Sequence, residues 1–454
     1  MCSNPTQAFI LAHADDDVRQ LALQATGTSD IDLPYALDQI AGRQKARTKL
    51  PTWAATEGIV YPSRLAMEQC SSEQTARYKA EVAVRCLTNG NVRFFADLTG
   101  GFGVDFTFIA QAINTLNLKL QTSNLKLQTS NSIYVEQNLQ LFAISSKNLH
   151  LLVDHAECVC ADGVEYLRQS TEHFDLIYLD PARRDSHGHR TYGISDCTPD
   201  VLAIRDLLLT KSDCVMLKLS PMLDWRKAVQ DLGEKYVTDV HIVSVANECK
   251  ELLIVMKGTP DIGSLAARLC RFHKSEASER TEGTQAEHEE NGNYSIHCVN
   301  LLHDGTTQYF SFPTPNLKRL VSRSNHQTSN FKLQTSNFLY EPNASIMKAG
   351  CFDEVERCFD VQQIEKNSHL FISADFIDNF PGRVFRIDAV FTMNKRELKE
   401  HLKDITQANI TVRNFPMTVA ELRRRLKLVD GGDTYIFATT LPDKRHVLIL
   451  CSYI

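Results

Sequence analysis

At 454 residues, 43% of them hydrophobic, the chain is long enough for two to four domains with sizeable cores. Its net charge of −6 and pI of about 6.2 exclude a globally basic nucleic-acid binder, so any such partner must be met by local cationic patches. No run approaches the roughly 18 apolar residues of a membrane span, and MCSNPTQAFI has neither a basic segment nor an apolar core of signal-peptide length, so the expectation is a cytoplasmic protein with no membrane partner.

Residues 1–85 read as a helical region, with apolar residues at helical spacing in VRQLALQ and LPYALDQIAGRQKA. Arg43, Lys45, Arg47 and Lys49 then put four cations in seven residues. Ser71 followed by Gln74 reads as a capping box opening a helix that carries Arg77 and Lys79 toward the next strand; such cations suit either a solvated face or a ligand carboxylate.

The stretch FFADLTGGFGVDF, Phe94 to Phe106, is an apolar strand ending in an acid, a glycine cluster, and a second acid opening an apolar helix. Ligands of parallel α/β sheets sit beyond the carboxyl ends of the strands, where glycines let backbone approach them. A dinucleotide fold asks for G-x-G-x-x-G, but after Gly101 and Gly103 the sequence has Phe106. Asp97 and Asp105 would moreover face an anionic pyrophosphate, whereas S-adenosylmethionine (SAM) offers an ammonium and a sulfonium that carboxylates favour. An ordinary glycine turn is the alternative.

Beyond the helix, LKLQTSN at 118–124 repeats at 125–131, and FKLQTSN recurs at 331–337. The heptads are too few for a solenoid and read as inserted surface loops. Glu136 in SIYVEQN follows Asp97 by about 39 positions, against roughly 20 between a first strand and a ribose-binding acid. Removing about 15 inserted residues nearly restores that spacing, and the Glu136 carboxylate can match two ribose hydroxyls. ECVCAD then ends at Asp162 and Gly163, suited to the adenine amino group, and FDLIYLDPARR delivers Asp180 and Pro181. Each acid alone also reads as a helix cap or turn former. DCVMLKLSPMLDW and TDVHIVSVANECKELLIVM supply a fifth strand and a closing pair.

The segment 274–293 is charged, lacks apolar periodicity and reads as a disordered loop. Near the end, Thr418 caps a helix bearing Arg423, Arg424, Arg425 and Lys427, followed by a glycine turn and two strands. The 13 cysteines include no C-x-x-C pair, so neither disulfides nor a metal is expected.

The set DLTGGFGVD, YVEQN, CADG and LDPARR resembles the class I SAM-dependent methyltransferases over residues 70–258, and YEPNASIMKAG onward resembles the THUMP-like domain of a bacterial group of them. The resemblance implies an α/β fold: an N-terminal helical region (1–85), a Rossmann-like methyltransferase domain (86–258), a small ferredoxin-like module (259–337) and an α+β THUMP-like domain (338–454). It implies cofactor roles for Asp97, Thr99, Gly101, Gly103, Asp105, Glu136, Asp162 and Gly163. Asp180 and Pro181 match the catalytic position of the D/N-P-P-aromatic amino methyltransferases, but the motif here reads D-P-A-R and lacks the aromatic residue; Tyr178 and Tyr192 are candidate substitutes. Methylation of a base in structured RNA is the leading expectation, with Arg183 and Arg184 and the basic helix as RNA contacts. A small-molecule methyltransferase and an RNA-binding protein with a vestigial cofactor fold are the alternatives.

Overall fold

The computed structural model describes residues 5–24, 30–87, 92–120, 131–183, 193–258, 293–314 and 337–454. It divides into two compact units, 1–240 with 252–293, and 241–251 with 294–454. Among the described residues no helix is long and apolar enough to cross a membrane.

Among the described residues the first unit opens with six helices: α1 (Pro5–Ala12), α2 (Val18–Gln24), α3 (Leu33–Lys49), α4 (Pro51–Ala55), α5 (Arg64–Gln69) and α6 (Glu73–Cys86), with the helical spacing of VRQLALQ falling on α2 and that of LPYALDQIAGRQKA on α3. The cap of α6 lies one residue later than expected. Ser72 accepts from the Thr75 amide, and Ser71 turns inward. Ala76, Ala80 and Ala83 are buried on α6, small enough for it to pack directly on α7 (Val104–Leu120).

A sheet follows. Strands β1 (Phe94–Asp97), β2 (Asn131–Val135), β3 (Ala156–Val159) and β4 (Leu176–Leu179) are parallel, with α8 (Leu139–Leu152) and α9 (Gly163–Gln169) between them. The short pair β5 (Ala182–Arg183) and β6 (Cys197–Thr198) and the helix α10 (Val201–Lys211) lead to β7 (Val215–Leu219), parallel to β4. After α11 (Trp225–Leu232), β8 (Val237–Val245) and β9 (Glu248–Met256) close the sheet in the order β8-β9-β7-β4-β1-β2-β3, with β9 antiparallel to β7. The strand order reverses between β1 and β4, which is where an open α/β sheet leaves a crevice for its ligand. Buried Phe95 and Phe106 stack beneath that point, ring centroids 5.5 Å apart. Phe106 stands where a dinucleotide fold has glycine because it fills the core, and burial of such a side chain contributes about 1.5–3 kcal/mol.

The tandem heptads at 118–131 are not wholly loop: Leu118–Leu120 complete α7, and Asn131 opens β2. The rest of the pair lies outside the described residues, as do 331–336 and 274–292.

The second unit contains the hairpin of β10 (Ser295–Leu301) and β11 (Thr307–Pro313), with β10 beside the far end of β8. It also holds a seven-stranded sheet of β12 (Phe338–Pro342), β13 (Gln362–Gln363), β14 (Phe371–Ser373), β15 (Gly382–Phe391), β16 (Asn409–Val412), β17 (Thr434–Thr440) and β18 (His446–Tyr453), in the order β13-β14-β12-β15-β18-β17-β16. Phe385, Phe437 and Ile449 form one core of this sheet; Leu422, Ile436 and Leu448 form another.

Candidate active site

The glycine turn hangs between β1 and α7. Gly101 (φ 55°) and Gly103 (φ 84°) take left-handed backbone, where a β-carbon would be strained. Gly100, which the pattern did not single out, is fixed by space: a β-carbon there would stand 2.1 Å from the Tyr134 ring. Tyr134 closes the contact by donating its hydroxyl to the Gly101 carbonyl. Glu136, at the end of β2, accepts from the Gly101 amide at 2.9 Å and from the Asn138 amide at 2.6 Å. β1, the turn and the acid at the end of β2 thus lie together in one hydrogen-bonded cradle.

Three carboxylates gather at the reversal point. Asp97 is 1% exposed and accepts from the Thr99 amide at 3.0 Å. Burial pushes its carboxyl well above the usual range, and the neighbouring charges of Asp105 and Asp180 add to the rise. Asp105 is also buried, but it is compensated. Ser71 and Tyr178 donate to its Oδ2 at 2.8 and 2.7 Å, and Lys79 Nζ stands 3.1 Å from Oδ1. Burial alone would raise the Asp105 carboxyl; Lys79 and Lys218 outweigh it and hold it below the ordinary value. Asp180, beyond β4, is paired with Lys218 Nζ at 2.6 Å, and its amide donates to Thr99 Oγ1 at 2.6 Å.

Lys79 is fully buried, and its Nζ also donates to Ser71 Oγ at 2.9 Å. The reading of Lys79 as a solvated or ligand-binding cation therefore gives way to a structural one. Arg77 pairs with Glu73 at 2.7 Å and lies over the Phe108 ring. Tyr178 is 1% exposed with its hydroxyl on Asp105, so it cannot replace the missing stacking aromatic; Tyr192 lies outside the described residues. Lys218 was missed altogether, although a lysine inside the apolar run VMLKL was the available signal.

Asp162 caps α9, its Oδ1 accepting from the Val164 and Glu165 amides at 2.9 Å each. Gly163 packs so closely on β1's exit that a β-carbon would meet the Leu98 carbonyl at 2.1 Å. Pro181 is buried next to Asp180. Arg183 is in β5, with its side chain outside the described set, and Arg184 lies outside it entirely. In the second unit Thr418 and Glu421 form a capping box on the helix Val419–Leu426. Arg423 is drawn onto Asp430, whereas Arg424, Arg425 and the left-handed cap residue Lys427 are exposed.

A crystal structure of a candidate methyltransferase from Porphyromonas gingivalis W83 is 30% identical to this chain, covering 99% of it and 98% of the other, with a TM-score of 0.74. The chain belongs to the family of that methyltransferase. A family profile described as THUMP domain-like matches residues 382–453 of this methyltransferase, and one described as a ferredoxin-like domain matches 338–381. The ferredoxin-like match covers β12–β14 and the residues just after them, whereas the sequence puts such a module at 259–337. A structure from Listeria monocytogenes, described as a candidate class I SAM-dependent methyltransferase, is 10% identical over 60% of this chain and 99% of its own, with a TM-score of 0.36, too low to add to the argument. No curated protein sequence matches.

SAM is the cofactor that the sequence resemblance implies, and the charges of the site are compatible with it. Asp105 and Asp180 each have a lysine; among the described residues no cation pairs with Asp97. A buried carboxylate without a cation suits a ligand that brings one.

Proposed function

We propose that this methyltransferase methylates a base in structured RNA, with SAM held by the β1–β2 cradle. Asp97 faces the cationic part of the cofactor, Thr99, Gly101 and Gly103 shape the turn around its methionine portion, Glu136 takes the ribose hydroxyls, and the free oxygen of Asp162 with Gly163 borders the adenine. Asp105 acts from beneath by fixing Tyr178 and the start of α7. The buried carboxyl of Asp97, which among the described residues no cation meets, is the observation that carries the cofactor assignment.

When bound, SAM supplies a methyl carbon on a positively charged sulfur. Asp180 accepts a hydrogen bond from the acceptor atom and orients it, and Pro181 fixes the backbone beside it. Support for RNA as the substrate comes from the THUMP-like match and from the exposed cations Arg424, Arg425 and Lys427. Phosphate contacts of this kind make affinity fall with salt. The test is titration of the full chain with total tRNA and rRNA at several salt concentrations, alongside SAM binding. Salt-dependent RNA affinity supports the reading; SAM binding with no RNA affinity at any salt would move the assignment to a small-molecule substrate.

A further inference from the structure

Lys218 lies in β7 between the buried Leu217 and Leu219, and its side chain is only 13% exposed. A cation is costly in such a strand unless a carboxylate meets it. Its Nζ meets Asp180 Oδ2 at 2.6 Å, so Asp180 is held at two points: the Asp180 amide on Thr99 Oγ1 and the carboxylate on Lys218. Thr99 in turn reaches Asp97 through its amide, at 3.0 Å, so Asp97 and Asp180 are linked through Thr99.

We propose that Lys218 is a positioning residue for methyl transfer, one that pins one oxygen of Asp180 and leaves the other to a hydrogen-bearing acceptor, an amine, ring N–H or hydroxyl of the substrate. This rests on the methyl-transfer reading of the Asp180 edge. The acceptor's lone pair forms the new bond to the methyl carbon as the carbon–sulfur bond breaks. That bonding pair stays on sulfur, which becomes a neutral thioether, and the acceptor's proton passes to Asp180 and on to water. Without Lys218 the Asp180 carboxylate would lose its fixed partner and be free to turn toward the cofactor's positive charge, away from the substrate. An aprotic ring nitrogen would need no such acceptor.

The test uses the full chain with two probes, S-adenosylhomocysteine and sinefungin, an analogue with an amine-bearing carbon in place of the methyl-bearing sulfur. The ratio of their affinities reads the carboxylate at 180 without any substrate. Lys218→Met is expected to favour sinefungin by about tenfold more than wild type does, as the released carboxylate pairs with the amine. Lys218→Arg is expected to restore the wild-type ratio, and Asp180→Asn to lower it severalfold. With total tRNA as acceptor, Lys218→Met should lower kcat by about tenfold or more without raising KM for SAM. A folded Lys218→Met protein with the wild-type ratio would overturn the proposal. Should that variant fail to fold, an Asp180→Asn protein with an unchanged ratio would overturn it equally. Wild-type protein that binds neither probe removes the cofactor assignment itself, and this inference with it.

Discussion

Glu136 Oε2 accepts a hydrogen bond from the Gly101 amide at 2.9 Å, tying the end of β2 to the glycine turn across 35 positions of sequence. Its other oxygen holds the Asn138 amide at 2.6 Å, just ahead of α8. An amide side chain cannot serve both, because one of its two ends donates. Glu136→Gln is therefore expected to weaken SAM binding by about 1–3 kcal/mol, and Glu136→Ala to lower unfolding free energy as well. Calorimetric titration with SAM checks the first and denaturant unfolding the second; unchanged affinity in both variants would remove Glu136 from the cofactor site.

Asp97 should trade stability for binding. Its carboxyl is raised by burial and by Asp105 and Asp180, so the folded chain keeps a proton that the unfolded chain releases. That contribution is fully present below the unfolded value of about 3.9 and is lost as pH rises through the folded value. Asp97→Asn is expected to be more stable than wild type without cofactor, by a margin that grows with pH across that window, yet to bind SAM more weakly. Wild-type SAM affinity should rise over the same window with release of a proton, which calorimetry in buffers of different ionisation enthalpy detects. A pH-independent difference in melting between the two proteins would contradict this.

The Lys79–Asp105 pair predicts strong coupling. Removing one partner leaves a buried charge, so Lys79→Met alone should cost about 3–5 kcal/mol. Lys79→Met with Asp105→Asn should recover a large part of that loss. Urea unfolding of the two single variants and the double variant closes the cycle, and additive losses would show that the pair is not a unit.

Arg424 and Arg425 are exposed, whereas Arg423 is engaged with Asp430. Arg424→Ala with Arg425→Ala should reduce the slope of log affinity for RNA against log salt by about one to two. Arg423→Ala should leave the slope unchanged and lower the melting temperature. Equal effects on the slope would mean that position on the helix does not matter and the basic helix is no docking face.

The glycine turn and the acid of β2 were legible because strand, turn and acid each carry a local pattern, and even the displaced spacing of Glu136 could be read around the heptads. The capping box at Thr418 was legible for the same reason. What lay beneath was not. Lys79 looked like any charge on a short helix, and nothing local says that its partner is Asp105 or that Tyr178 spends its hydroxyl there, 73 positions further on. Lys218 joins Asp180 only through the parallel pairing of β4 and β7. The network is tertiary: Asp105, expected among the cofactor contacts, is held by Ser71, Tyr178 and Lys79.

The most direct test of RNA methylation is nucleoside mass spectrometry on RNA taken from cells lacking this protein and then incubated with the purified chain and SAM. One methylated nucleoside is predicted to appear with wild-type protein and to stay absent with Asp180→Asn, which still binds SAM. RNA that gains no methyl group from a wild-type protein shown to bind SAM would contradict the account.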